Sequence, residues 1–412
     1  MSGKKMVYLF VLLLMGFVTQ GVQALSEEDL LGRWEIVIDD TGDTFGASWL
    51  EVVRKDGKLD GSLLWRWGSV EPIEWIRIEG DEVLINRPEY RNRQRVDVIY
   101  KARLQYDRLV GMVERPEGGV QHFHGRPAIA PPVDLTGTWD IVMQLDERRR
   151  ARHTLHLLHE QGKIVGLLGA HGQIAEVKEA KLDGRQLTLR FAPVSVRGHG
   201  TEMSLDVEVR GDNLIGKGRM GSDKDLDVRG WRHRIWGEPI NLFNGKNLEN
   251  WLTRDPQAQM KWYVEDGIMV CSGEGGDIYT DRVFDDFQLH VEFKMSEGAN
   301  SGVYLRGRYE NQLLDDYGKG VESHGMGSVY SRIAPTKNAT KPAGEWQTYD
   351  ITLIGRWLTV KLNGVTVVDN QYLEGITGGA LDPCENEPGP LMLQDHGDKV
   401  WFRKVVLTPL IR

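Results

Sequence analysis

The sequence predicts an all-β protein in which two tandem antiparallel β-barrel or sandwich repeats precede a jelly-roll sandwich. Glycine occurs 48 times and tryptophan 13 times in 412 residues, and short alternating apolar runs are separated by Gly, Asp and Asn, the punctuation of antiparallel strands. No long stretch carries helical periodicity. Three sequence blocks also recur at one fixed offset, the mark of a duplicated unit. The chain is too long for one small core, and ordinary domain sizes suggest roughly three domains.

Residues 1–24 stand apart from the fold. Lys4 and Lys5 precede an apolar run over 6–18, and Val22-Gln23-Ala24 offers small residues where a signal peptidase cuts. The run is short for a bilayer span. A cleaved secretory signal is expected, leaving a periplasmic or secreted protein with no integral membrane span. No cysteine follows the segment to accept a lipid. In an oxidising compartment Cys271 and Cys384 could pair, and two free buried thiols fit the sequence nearly as well. The net charge of −9 argues against a nucleic-acid partner, which normally calls for a basic face. The oligomeric state is left open.

The duplicated units are read as residues 25–130 and 131–236. Gly32-Arg33-Trp34 recurs as Gly137-Thr138-Trp139, an offset of 137 − 32 = 105 that Gly57/Gly162 and Asp107/Asp212 repeat. Pro131-Pro132 marks the linker. The opening Gly-x-Trp resembles the start of lipocalin-like barrels, and a structural or substrate-presenting module is expected. Trp65 and Trp67 share one face of a strand and could stack on sugar rings, although alternating strand aromatics are more often core. His153, His156 and His159 have a metal-like spacing only on a helix. On the expected strand His156 points away from the other two.

Residues 237–412 read as one β domain. Asn363-Gly364 between two alternating runs signals a tight hairpin, and two stacked antiparallel sheets suit so many non-local strands. Residues 300–316 read as two short strands with a turn at Gly307-Arg308. Alternation then puts Val303 and Leu305 on one face and Tyr304 and Arg306 on the other, with Glu310 and Gln312 opposite them. That polar face is the candidate site. Its plain alternative is a solvated sheet surface with a weak Arg306–Glu310 pair.

Asn241-Leu242-Phe243-Asn244-Gly245, Trp262-Tyr263-Val264-Glu265, Asn300-Ser301-Gly302-Val303-Tyr304, Tyr309-Glu310-Asn311-Gln312 and Gly389-Pro390-Leu391-Met392-Leu393-Gln394-Asp395-His396 together resemble the 3-keto-disaccharide hydrolase domain family. The resemblance covers residues 240–412 and does not reach the repeats. It implies a concanavalin A-like jelly roll whose concave sheet binds a sugar, and a secreted enzyme cleaving glycosides already oxidised at C3. A C3 ketone acidifies the C2 hydrogen, so a base can form an enolate that expels the C1 aglycone before water adds. The needs are a base, donors for the enolate oxygen and an acid. Glu310 and His396 are the two candidate proton carriers, left unranked, and Arg306 is the expected electrostatic stabiliser. Tyr304, Gln312 and Gln394 would bind substrate, with Asn300, Asp316 and Tyr330 at the rim.

Two other readings remain. A conventional jelly-roll endoglucanase would carry Glu-x-Asp-x-x-Glu, where this chain has Glu310, Gln312 and Asp315. A lectin-like binding module shares the architecture. Lectins of that type hold calcium through clustered acids, but Asp285-Asp286 and Asp315-Asp316 read as solvated loops. No metal or other cofactor is expected.

Overall fold

The computed structural model describes residues 25–39, 46–91, 93–170, 172–196, 199–221 and 224–411. The expected secretory signal lies outside the described residues. Among these residues the chain is β-structure with one 3-10 turn at Glu28–Leu30. No described helix is long and apolar enough to cross a membrane.

The two Gly-x-Trp tryptophans do the same job in two cores. The indole N–H of Trp34 donates to the Leu30 carbonyl and that of Trp139 to the Leu135 carbonyl, each at 3.0 Å. Both rings are buried, so each N–H needs such a partner. Around Trp139 the strand Gly137–Gln144 pairs with both Arg150–Glu160 and Leu226–Arg232, closing an eight-stranded barrel. Around Trp34 the strand Gly32–Ile38 lies within a nine-stranded sheet. Where the barrel has the continuous strand Gln173–Asp183, the N-terminal sheet has the short pieces Glu71–Pro72 and Trp75–Glu79. Pro72 has no N–H to give a ladder, which suits it to such an interruption. On Arg150–Glu160 the alternation buries His153 and exposes His156, so the three histidines form no common set.

The C-terminal sandwich stacks a five-stranded sheet on a larger one. The smaller sheet runs in the order Trp251–Thr253, Ile278–Phe284, Gly389–Leu393, Asn300–Leu305 and Tyr309–Leu314. Its inward residues Val303, Leu305, Leu313 and Leu393 meet Phe293, Tyr349 and Phe402 of the larger sheet in one apolar core. Asn363 and Gly364 are both left-handed, at φ 51° and 77°, and make the two-residue hairpin their sequence announces. Cys271 and Cys384 are free thiols, and the disulfide allowed by the sequence does not form. Burial raises both thiol pKa values, that of Cys384 to about 11.

The N-terminal sheet is packed against the sandwich. Ala47, Trp49 and Leu64 from the sheet form an apolar cluster with Ile376 and Ala380 of the sandwich. The Arg332 guanidinium lies 4.2 Å from the Trp49 ring centroid and donates from Nε to the Ile376 carbonyl at 3.0 Å. The segment 373–388, which joins Val365–Tyr372 to Gly389–Leu393, therefore lies between the two halves of the protein.

Trp139→Ala should cost about 3–5 kcal/mol, the usual range for emptying a large buried aromatic site. Trp139→Phe, which mainly forfeits the N–H bond, should cost less. Urea unfolding of the full chain, followed by circular dichroism, reads both.

Candidate active site

The outward face of the smaller sheet is built by strict alternation. Tyr304 pairs with Glu310 and Gly302 with Gln312 across the hairpin, so these four positions share one face. A Cβ on Gly302 would stand 2.7 Å from Glu310 Oε1, and the missing side chain is what lets the carboxyl lean inward. Glu310 is only 4 % exposed and Gln312 only 2 %.

The Tyr304 hydroxyl is the hub of this face. It lies 2.8 Å from Glu310 Oε2 and 2.7 Å from the Gly378 carbonyl, and it accepts from Gln394 Nε2 at 3.2 Å. A hydroxyl has one proton. If that proton goes to Gly378, the contact with Glu310 is a hydrogen bond only when the carboxyl carries a proton of its own. Burial pushes the Glu310 pKa up to about 8 against the lowering effect of the Tyr304 hydrogen bond, and nearby Asp277 adds to the rise. Burial and the charges of Glu310 and Asp277 likewise hold the Tyr304 phenol neutral. Glu310 Oε1 makes no hydrogen bond among the described residues, and buried Gln312 Oε1 and Gln394 Oε1 are also unpartnered. These oxygens of one face are thus left for a ligand.

Behind this face stands a buried ion pair. Arg254 Nη1 lies 3.0 Å from Asp277 Oδ2 and donates to the Gly379 carbonyl at 2.6 Å. Asp277 Oδ1 accepts the Asp395 N–H at 3.0 Å. Burial raises the Asp277 pKa, and Arg254 opposes the rise. On the other side, the Gln312 amide donates to the His324 carbonyl at 3.2 Å, and the His324 ring meets Tyr330 edge-on at 4.8 Å. The Tyr330 N–H donates to the Glu310 carbonyl at 3.0 Å, which brings that residue beside the site. The N-terminal sheet also reaches in: Ser69 Oγ lies 2.8 Å from His324 Nε2, and Arg254 sits 4.6 Å from the Trp67 ring centroid.

A groove of about 1030 Å³ lies elsewhere, between the barrel and the sandwich beside Trp357 and Tyr372. It contains no member of the Glu310 cluster, and of its carboxylates Asp212 is held by Arg232 at 3.2 Å and Arg234 at 3.0 Å, and Asp134 by Arg232 at 3.1 Å. Size alone is a weak guide here. The perturbed carboxyl and the unpartnered polar atoms around Glu310 make that face the candidate site. Among the described residues no three His, Cys, Asp or Glu side chains are grouped to hold a metal ion.

Residues 238–408 match the model of the 3-keto-alpha-glucoside-1,2-lyase-like domain. A 3-keto-disaccharide hydrolase of Bacteroides thetaiotaomicron is 26% identical over 222 residues, spanning 40% of this chain and 76% of that protein. The C-terminal domain belongs to this family. Two crystal structures of candidate glycosyl hydrolases from Parabacteroides distasonis are also similar. One is 32% identical, covering 41% of this chain and 82% of that one with a TM-score of 0.36. The other is 26% identical, covering 42% and 94% with a TM-score of 0.37.

Within this 3-keto-alpha-glucoside-1,2-lyase-like domain the expected residues divide. Tyr304, Glu310, Gln312, Gln394 and Tyr330 come together as described. Asn300 lies on the same face by alternation, with a buried, unpartnered Oδ1. Arg306 does not join them. The strand ends at Leu305, and Arg306 opens a three-residue turn with φ 52°, which breaks the alternation that would have aimed it at Glu310. Its guanidinium is buried against the Asp285 carbonyl at 2.7 Å and Asp286 Oδ1 at 2.9 Å. Asp316 is a loop anchor rather than a rim residue, accepting the Met326 N–H at 2.8 Å. His396 is exposed in the turn after Gly389–Leu393 and makes no hydrogen bond to the Glu310 cluster among the described residues. Asp395 holds that turn by accepting the Gly275 N–H at 2.7 Å and the Gly397 N–H at 3.0 Å.

Arg254, Asp277 and His324 are the members that sequence reading missed. None of the three falls in a sequence block that carries the family resemblance.

The raised Glu310 pKa fixes the sign of a stability test. Between the ordinary 4.5 and about 8 the folded protein keeps a proton that the unfolded chain has lost, so stability falls as pH rises through that window. The slope approaches about 1.4 kcal/mol per pH unit. In Glu310→Gln this slope should vanish, so urea unfolding at stepped pH should show wild type losing stability relative to the variant. Parallel curves would mean that folded Glu310 titrates like a free carboxyl.

Proposed function

We propose that the protein cleaves 3-keto-glycosides, 3-keto-disaccharides among them, by removal of the C2 proton, elimination of the C1 substituent and hydration of the resulting enone. The observation that carries this reading is a single buried carboxyl poised near neutral pH beside a neutral phenol. Ordinary glycosidases need two carboxyl groups across the scissile bond, one of them ionised. Here Asp277, the other acid in electrostatic contact with Glu310, is committed to Arg254. One proton carrier suffices when the substrate's own ketone supplies the activation.

In this reading Glu310 in its carboxylate form takes the C2 proton through Oε1, and the acid so formed can protonate the departing oxygen or, once water has added to the enone at C1, return a proton to C2. A pKa near 8 leaves both forms accessible close to neutrality, the condition for efficient proton transfer in either direction. Electron density that moves to the C3 oxygen needs donors. The amide groups of Gln312 and Gln394, each with a second N–H, are the neutral donors at hand, and the buried Arg254 contributes positive potential from behind. Arg306 has no part in the step because Asp285 and Asp286 hold it. We also propose that residues 1–24 export the protein to the periplasm or beyond, which sequencing the mature N-terminus would check.

Purified protein should release the aglycone from a 3-keto-disaccharide and leave the parent disaccharide intact. Equal turnover of both would make it an ordinary glycosidase, and binding without turnover a lectin. In D2O, deuterium should appear at C2 of the product sugar, and its absence would rule out the elimination. Glu310→Gln should lower kcat by roughly 10²–10⁴-fold, the usual contribution of a general acid–base group. A larger loss in His396→Gln would transfer the proton role to the exposed imidazole.

A further inference from the structure

The sandwich face described above is not bounded by the sandwich alone. The strand Lys58–Trp65 of the N-terminal sheet ends at Trp65, whose ring packs edge-on against Tyr100 at 4.7 Å and Phe123 at 5.4 Å in that sheet's core. Arg66 then takes a left-handed φ of 58°, and Trp67 leaves the strand. The two tryptophans therefore do not share a face. Trp65 is core, and Trp67 is carried out over the sandwich.

Several contacts fix where it arrives. The Gly379 N–H donates to the Arg66 carbonyl at 2.8 Å. A Cβ on Gly379 would meet the Tyr304 hydroxyl at 2.9 Å and the Trp67 ring at 3.0 Å, so the hub of the site and the indole flank the same point. Two residues on, Ser69 bonds His324 and the Val70 N–H donates to Ser331 Oγ at 3.1 Å. The 66–70 loop is thus tied to the sandwich on both sides of Trp67. The indole nevertheless remains 48% exposed. Large aromatic rings at the edge of a polar recess, held in place yet left open, are suited to the apolar C–H face of a pyranose. Arg254 stands 4.6 Å from the ring centroid and steadies the ring by a cation–π contact.

We infer that the 66–70 loop of the N-terminal sheet completes the substrate site, with the Trp67 indole stacking on a sugar ring of the 3-keto-glycoside. This rests on the proposed function for the identity of the sugar. It assigns the N-terminal sheet a part in recognition: the proton chemistry sits on one half of the chain and a binding platform on the other.

The test is made on the full chain with a 3-keto-disaccharide. Calorimetric affinity is measured in the Glu310→Gln background with and without Trp67→Ala, and kinetics with Trp67→Ala and Trp67→Phe alone. Trp67→Ala should weaken affinity and raise KM about tenfold or more, with kcat changed less than threefold, and Trp67→Phe should recover part of the loss. Because Trp67 is half exposed, the melting temperature should barely move, which separates a binding effect from misfolding. Unchanged affinity and KM would overturn the inference, as would a loss confined to kcat. If wild type binds the sugar without cleaving it, the proposed reaction fails, and the platform is judged on the affinity loss alone. If wild type binds no 3-keto sugar, both fail.

Discussion

The site depends on the cost of holding a carboxyl group out of water. Glu310 sits on a sheet face where solvent is excluded, and no cation bonds to it. An ionised carboxylate there would suffer a desolvation penalty of about several kcal/mol with little to offset it. Protonation relieves the penalty, and the Tyr304 hydroxyl receives the proton in a bond that closes onto Gly378. The arrangement of Tyr304, Gly302 and Gln394 around Glu310 is in this sense a consequence of one unfavourable burial. A cation among them would oppose the rise in pKa that burial causes.

That exclusion of water is produced by parts distant in sequence. The segment 373–388 roofs the face, and it is pinned from beneath by a second buried acid. Glu385 lies 3.1 Å from Arg356 Nη1, accepts the Tyr309 hydroxyl at 3.0 Å and accepts the Gly375 N–H at 2.9 Å. Glu310 and Glu385 thus illustrate two outcomes of burial. Glu385 has a guanidinium and two donors and serves as a fastener, whereas Glu310 has only a phenol to meet it. From above, the same segment is pressed by Trp49, Arg332 and the 66–70 loop.

Much of the candidate face was legible because period-two alternation is a local property. Tyr304, Glu310, Gln312 and Gln394 fall where alternation puts them, as do the opposed orientations of His153 and His156. The same rule failed at two places for one shared reason. Arg306 and Arg66 each adopt a left-handed backbone at a strand end, and each time the next expected position on the face is lost. Neither is a glycine or asparagine, so no residue type announced the break. The Arg254–Asp277 pair and the docking of Trp67 were illegible for a different reason. They join segments far apart in the chain, and no local pattern encodes a partner so distant. His396 lies in a matched block and stands exposed in the turn after Gly389–Leu393, a placement that alternation alone does not give.

The roof also contains a contact made of backbone alone. A Cβ on Gly378 would lie 2.3 Å from the Gly68 carbonyl oxygen, so the two chains meet with no side chain between them. Side-chain contacts between domains can drift, since a larger residue on one side can be answered by a smaller one opposite. A backbone-on-backbone contact offers no such exchange. Gly378 has no smaller residue to retreat to, and any replacement would lift the 66–70 loop away from the sandwich as a unit. Two stretches separated by 378 − 68 = 310 residues thereby constrain one another, and a side chain at either point would disturb both halves of the protein at once.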